Sequence, residues 1–175
     1  MAPHVIAGDV FPDFRLKDLQ GREHTLAEWR GRVVLINFWS AECDWSLRVD
    51  GLMAPMLARW GERVVYTPVA SNANESPAQM LAAAQARGLE TLLWDDRSAL
   101  ADRVGAEITP QFFILDGEGK ICYHGAFDDI NFRQRTPTRC FVEEVVDALL
   151  AGRQPETDHA APFGCTIVRF SNLVA

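Results

Sequence analysis

The stretch Val33-Val34-Leu35-Ile36-Asn37-Phe38-Trp39 narrows the possible folds more than any other part of the chain. It is apolar except for Asn37 and does not alternate between two kinds of face. A run of this length fits a strand covered on both sides rather than one side. Such a strand needs a layer above it and a layer below it. The residues that follow supply one. Trp45, Val49, Leu52, Met53, Met56, Leu57 and Trp60 recur at spacings of three and four, which predicts a helix over roughly 44–60 that Gly61 ends. Val64 to Val69 reads as the next strand. Strand, helix and strand in this order make a right-handed βαβ unit with its two strands parallel, and the fold class is α/β.

The remaining segments build outward from that unit. Residues 12–25 read as a hairpin, because Phe14 and Leu16 alternate with polar residues and Gln20-Gly21 supplies a turn. A second helix is predicted over 77–87, opening at Ser76-Pro77 and closing at Gly88. Leu92 to Trp94 is a short strand and Ala99 to Val104 a short helix. Phe112 to Leu115 and Lys120 to Tyr123 flank Asp116-Gly117-Glu118-Gly119, a hairpin signal. Those two glycines are not a phosphate loop, since a strand and not a helix follows. A last helix is predicted from Thr136-Pro137 to about Leu150, with Val142, Val145, Val146 and Leu149 as its apolar stripe and Gly152 as its stop. The expected architecture is a mixed central sheet with helices on both faces and an N-terminal β-hairpin extension. It occupies one domain over 1–152, and residues 153–175 form an irregular tail that carries Cys165.

Composition removes several function classes. A chain of 175 residues with 48% apolar and 23% charged residues is an ordinary globular domain. It buries about 70% of its unfolded surface and does not depend on disulfides to fold. The net charge of -7 argues against nucleic acid or an anionic membrane as the main partner. The start Met1-Ala2-Pro3-His4-Val5-Ile6 lacks the basic and apolar regions of a secretory leader, and no apolar run reaches membrane-spanning length. The expected location is a reducing cytoplasm, where a cysteine is more often reactive or inert than bridged.

Cys43 stands between the buried strand and the first long helix. Free backbone N–H groups at a helix start point toward such a side chain, and the helix dipole favours negative charge there. A thiolate is stabilised at that place, and the thiolate is the nucleophile. Ser46 lies one turn on, with a hydroxyl able to donate to the sulfur, whereas Glu42 and Asp44 oppose ionisation. The competing reading is a buried core cysteine. Thr109-Pro110 precedes the strand from Gln111 and is either an ordinary edge proline or a cis peptide bond. Arg48, about a turn beyond Cys43, is either an aid to a thiolate or peroxide or a solvated face residue. Cys165 is either a partner for Cys43 or a free tail thiol. Cys122 reads as packing. Cys140, in the first turn of the last helix, reads as a partly buried structural thiol. His4, His24, His124 and His159 are scattered, and Cys122-x-His124 alone makes no metal site. Neither a metal nor an organic cofactor is expected.

Phe38-Trp39-Ser40-Ala41-Glu42-Cys43-Asp44-Trp45-Ser46, followed by Ile108-Thr109-Pro110, resembles a thioredoxin-fold redoxin of the alkyl hydroperoxide reductase/thiol-specific antioxidant group. Gly8-Asp9-x-Phe11-Pro12-x-Phe14-x-Leu16-x-Asp18 and Thr25-Leu26-x-x-Trp29-x-Gly31 are similar to that group's opening. Tyr123-x-Gly125-x-x-Asp128-Asp129 and the closing Gly164-Cys165-Thr166-Ile167-Val168 resemble a small bacterial thioredoxin-like branch. The resemblance implies a thioredoxin-like three-layer fold with cis-Pro110 facing Cys43. It also implies a thiol-dependent oxidoreductase in which Cys43 attacks a disulfide or a hydroperoxide, and Cys165 or an external thiol resolves the product. Ser46 would stabilise the thiolate. Trp45, Thr109 and Pro110 would shape the substrate groove, with the Thr109 backbone pairing to an extended substrate. Partners would be a thiol reductant, a disulfide-bearing protein or a small hydroperoxide.

Three departures stand against the family pattern. Ser46 takes the place of the second cysteine of a Cys-x-x-Cys reductase, and Ile36 takes the place of the peroxiredoxin proline. The arginine that peroxiredoxins carry before the late strand is also missing. A different class of function therefore stays in view, a redoxin fold that kept a binding groove around Trp39, Trp45 and Pro110 without turnover.

Overall fold

Residues 4–173 are described by a computed structural model. Met1, Ala2 and Pro3, the first part of the stretch read for a leader, lie outside the described residues. In chain order the strands and α-helices are β1 (Arg15–Asp18), β2 (Glu23–Thr25), β3 (Val33–Trp39), α1 (Asp44–Trp60), β4 (Val64–Ala70), α2 (Pro77–Ala86), β5 (Leu93–Trp94), α3 (Ala99–Val104), β6 (Ile108–Thr109), β7 (Gln111–Leu115), β8 (Ile121–Gly125), α4 (Phe141–Leu150), β9 (His159–Ala160), β10 (Cys165–Thr166) and α5 (Phe170–Leu173).

β3 is buried along its whole length, as its continuous apolar run predicts. It lies inside an eight-stranded sheet of order β2-β1-β5-β4-β3-β7-β8-β9. It runs parallel to β4, with Val33 opposite Val64, and antiparallel to β7, with Ile36 opposite Phe113. On one face, Val49 and Met53 of α1 and Val142, Val145 and Val146 of α4 close over Leu35, Phe112, Ile114 and Tyr123. On the other, Phe11, Phe14, Leu26, Trp29, Leu100 and Val104 close over Val34, Ile36, Phe38 and Phe113. Met80 and Ala84 of α2 cover Trp39 and Ala70. Each fully buried large side chain contributes about 1.5–3 kcal/mol. The mixed sheet, the two covered faces and the N-terminal hairpin are those expected from the sequence. α1 runs through Pro55, whose missing N–H falls on the exposed side beside Gly51. α2 opens as predicted, with Ser76 capping, Pro77 in the first turn and Gln79 completing a capping box.

The last helix starts later than the sequence suggests. α4 begins at Phe141, with Cys140 at its N-cap, and Thr136-Pro137 lies in the preceding loop. Asp129 causes the delay. It accepts from the Thr138 backbone at 2.9 Å, the Thr138 hydroxyl at 2.5 Å and the Gln134 amide at 2.7 Å. These bonds offer the backbone an alternative to helix.

The tail is ordered onto the domain. β9 runs parallel to β8, with Gly125 opposite Ala160. Gly125 has φ +126, and a Cβ there would lie 1.8 Å from the Ala160 carbonyl oxygen, so only glycine lets β9 close in. β10 runs antiparallel to β6, with Cys165 opposite Thr109 and Thr166 opposite Ile108. Ile167 is fully buried in the core. Its N–H donates to Glu107, the Val168 N–H donates to the Asn72 side chain at 2.7 Å, and Val168 accepts from the Ala73 N–H at 2.8 Å. Among the described residues no helix is long and apolar enough to cross a membrane.

Candidate active site

β3 ends at Trp39, a tight loop over Ser40–Glu42 turns the chain, and Cys43 becomes the N-cap of α1. The sulfur therefore sits where the open N–H groups of the helix converge. The side chain is nonetheless covered, with Cys43 only 2% exposed. In its protonated form it donates to the Thr109 carbonyl at 3.2 Å. The Thr109–Pro110 bond is cis. The resemblance, not the spacing, carries this feature. Ser46 is fully buried beside the sulfur, and its hydroxyl accepts from the Ser40 N–H at 3.3 Å.

Cys165 completes the group. β10 lays it opposite Thr109, the residue whose carbonyl meets the Cys43 sulfur, and the two thiols shift each other's ionisation. Burial works against ionisation of Cys43. Hydrogen bonds from the Cys165 thiol, the Ser46 backbone, the Thr109 side chain and the Ser46 hydroxyl outweigh it and hold the thiol below its ordinary pKa. Cys165 is pushed up to about 12, by burial of its sulfur first and then by the neighbouring Cys43, Asp44 and Glu75. Its residue as a whole is exposed. One thiol is thus primed and covered, and the other is held protonated beside it. The flanking carboxylates do not cancel the effect at Cys43, and Glu42 turns to the Gln79 amide at 3.3 Å.

The other cysteines differ. Burial pushes Cys140 up to about 11 and raises Cys122. The structure commits Arg48 to Asp128 at 2.6 Å, so its guanidinium is engaged away from the sulfur. Trp45 is half-buried and meets the Phe163 ring edge-on at 4.9 Å; Phe163 in turn meets Phe132 at 4.8 Å. The groove that Trp45, Thr109 and Pro110 were expected to form is thus occupied by the chain's own Phe163, Gly164 and Cys165.

Sequence reasoning missed the polar scaffold behind the sulfur. Glu75 is buried and accepts from the Ser40 hydroxyl, from the Ala41 N–H at 2.9 Å and from the Asn72 amide at 3.0 Å. Arg87, at the end of α2, donates to the carbonyls of Ser40 and Ala41 and to Asp50 at 3.2 Å. Asp50 also accepts from the Trp39 indole at 2.9 Å. Burial raises the Asp50 pKa although the Trp39 and Arg87 bonds pull downward. Together these residues fix the 40–42 loop from two sides. Among the described residues no group of His, Cys, Asp or Glu is arranged to hold a metal ion.

The model of the AhpC/TSA family matches residues 7–124. The chain is 29% identical to the thiol-disulfide oxidoreductase ResA of Geobacillus thermodenitrificans over 121 residues, 67% of each protein. It is 27% identical to the thioredoxin-like protein YneN of Bacillus subtilis over 115 residues, 65% of this chain and 68% of that one. Among solved structures, a hypothetical protein from Sinorhizobium meliloti 1021 superposes with a TM-score of 0.84 at 28% identity, covering 95% of this chain and 96% of the other. The fold is that of the thioredoxin-like proteins.

Proposed function

The chain belongs to the AhpC/TSA family, and on that premise we propose that it is a thiol–disulfide oxidoreductase whose redox pair is Cys43 and Cys165. One observation carries the reading: β10 pairs with β6 so that Cys165 lies opposite Thr109, whose carbonyl accepts from the Cys43 thiol. The second cysteine of a local motif is Ser46 here, and the tail brings a thiol to the same sulfur from the far end of the sequence.

In the reducing direction the Cys43 thiolate attacks one sulfur of a disulfide. That S–S bond breaks, a thiolate leaves, and Cys43 holds a mixed disulfide. Cys165 gives its proton to the departing thiolate and attacks the Cys43 sulfur. The second substrate thiolate is released and the Cys43–Cys165 disulfide forms. External thiols then return the pair to the reduced state. Ser46 holds the charge on Cys43 through its N–H and hydroxyl. Thr109 and Pro110 set the sulfur's position, and Trp45 holds the tail through Phe163.

A hydroperoxide would join the same cycle through a sulfenic acid on Cys43. Ile36 at the proline position and the engagement of Arg48 by Asp128 favour the disulfide substrate. A binding module without turnover has less support, because its groove is filled from within the chain. The test is turnover of a small disulfide with a dithiol reductant. Cys43→Ser is expected to show none. In a single turnover with the reductant left out, Cys165→Ser is expected to stop at a mixed disulfide on Cys43. Wild-type turnover by Cys165→Ser would reject the pair.

A further inference from the structure

β6 lies directly beside Cys43 and presents a backbone edge through Ile108 and Thr109. An open edge next to a nucleophile is a place where an extended polypeptide adds itself as a strand, with main-chain hydrogen bonds supplying affinity. In this protein the edge is taken. β10 pairs with it in antiparallel register, Cys165 against Thr109. The strand approaches as closely as a backbone can: a Cβ on Gly164 would lie 2.0 Å from the Thr109 carbonyl oxygen and 3.2 Å from the Pro110 ring. It is fastened on both sides. Before it, Phe163 meets Trp45 and Phe132 edge-on and has the Arg135 guanidinium 5.7 Å from its ring centre. After it, Ile167 is buried, Val168 bonds with Asn72 and Ala73, and Arg169 reaches Asp102 and the Ala106 carbonyl, both at 2.7 Å. Cys43 beneath is 2% exposed.

We propose that β10 occupies the strand position of a polypeptide substrate and so makes Cys43 selective for small-molecule disulfides over disulfides borne on extended chains. A small disulfide needs only a path to the sulfur. An extended chain needs the Thr109 edge and must first displace a strand tied down at both ends. The chemical step is one exchange: the Cys43 thiolate bonds to one sulfur of the probe, the probe's S–S bond breaks, and the other sulfur leaves as a thiolate. The proposal rests on the functional reading for Cys43 as the nucleophile, and it does not require Cys165 as the second thiol.

The test uses full-length Cys165→Ser, which keeps the strand and removes its thiol. Two probes carry the same thionitrobenzoate leaving group. One is joined to cysteamine, the other to an unfolded polypeptide with a single cysteine. Modification of Cys43 is followed by peptide mapping, and each rate is divided by that probe's rate with free glutathione. With the strand in place the polypeptide probe is expected to fall behind by roughly tenfold or more, the worth of one or two backbone hydrogen bonds. Adding Gly164→Val, whose side chain collides with Thr109, is expected to close the gap. Adding Ile167→Asn in its place, which unfastens the far side, is expected to do the same, with faster amide exchange at Val168 reporting release. Equal corrected rates with the strand in place would overturn the proposal and leave the functional reading standing. A gap that persists after Val168 is released would also overturn it. Silence of Cys43 toward both probes would overturn the functional reading and the proposal with it.

Discussion

Replacing Arg87 by leucine tests whether the loop ahead of Cys43 is held by a buried charge. The Arg87 side chain is 11% exposed and that of Asp50 2%, so water screens the pair weakly. The guanidinium supplies donors to Asp50 and to the carbonyls of Ser40 and Ala41, and it lies 5.0 Å from the centre of the Trp39 ring. Without it Asp50 keeps only the Trp39 indole, since its other carboxylate oxygen already has no partner among the described residues. Removing one partner of a buried pair costs about 3–5 kcal/mol, because a charge is left uncompensated. For a chain of this size that is a fall of roughly 6–20 °C in Tm, at about 2–4 °C per kcal/mol. The assay is urea unfolding at constant pH with an unchanged m-value. The pH trend has a definite sign. Burial already raises the Asp50 pKa above its unfolded value, so the ionised form costs stability. Arg87→Leu raises it further, and the variant loses stability relative to wild type as pH rises above the ordinary carboxylate range. Adding Asp50→Leu is expected to recover part of the loss, since the isolated charge is gone. A single-variant loss under about 1 kcal/mol, the value of an exposed pair, would refute the reasoning. So would a double variant as costly as the two single losses added.

Alkylation of Cys43 is expected to rise with pH earlier than that of Cys122, Cys140 or Cys165, because only Cys43 has its pKa lowered. Cys165→Ala should move that profile upward and Cys165→Ser should largely keep it, since a hydroxyl still donates; identical profiles in both would remove Cys165 as the donor. Glu75→Ala should cost about 1–3 kcal/mol, because Ser40, Ala41 and Asn72 lose a buried acceptor. It should also speed Cys43 labelling as the loop loosens, and unchanged stability would count against the scaffold. Ser46→Cys should let Cys43 form a disulfide with the introduced thiol one turn away, in competition with Cys165, visible as a new linked peptide and a freed Cys165 thiol. Failure of that linkage to form under oxidation would contradict the placement of residue 46 beside the sulfur.

The central sheet was readable because its causes are local. β3 declares itself by an unbroken apolar run, α1 by its three-and-four spacing, and α2 by Ser76-Pro77 and Gly88. Cys43 was readable because a strand-to-helix junction is a local feature with a known field. The cis bond before Pro110 was not decidable from spacing, since an edge proline gives the same pattern, and it rested on the resemblance. The start of α4 was misplaced because Asp129 gathers Thr138 and Gln134 through side-chain bonds that periodicity does not register. β9 and β10 are two residues each, too short to show alternation, and their partners lie far off in sequence. Glu75, Asn72 and Arg87 look like surface residues by type, and only tertiary packing buries Glu75 and Asn72 and covers most of Arg87. Arg48 could be read as an aid to the sulfur or as a solvated face residue, and its engagement by Asp128 was not legible because Asp128 is distant in sequence.

The most direct test of the central claim is a peptide map of the protein equilibrated with a glutathione redox buffer and then acid-quenched. The account predicts one dominant product as the buffer becomes more oxidising, a peptide pair linked through Cys43 and Cys165, with Cys122 and Cys140 still reduced. A map in which Cys43 carries only glutathione while Cys165 stays a free thiol would contradict it.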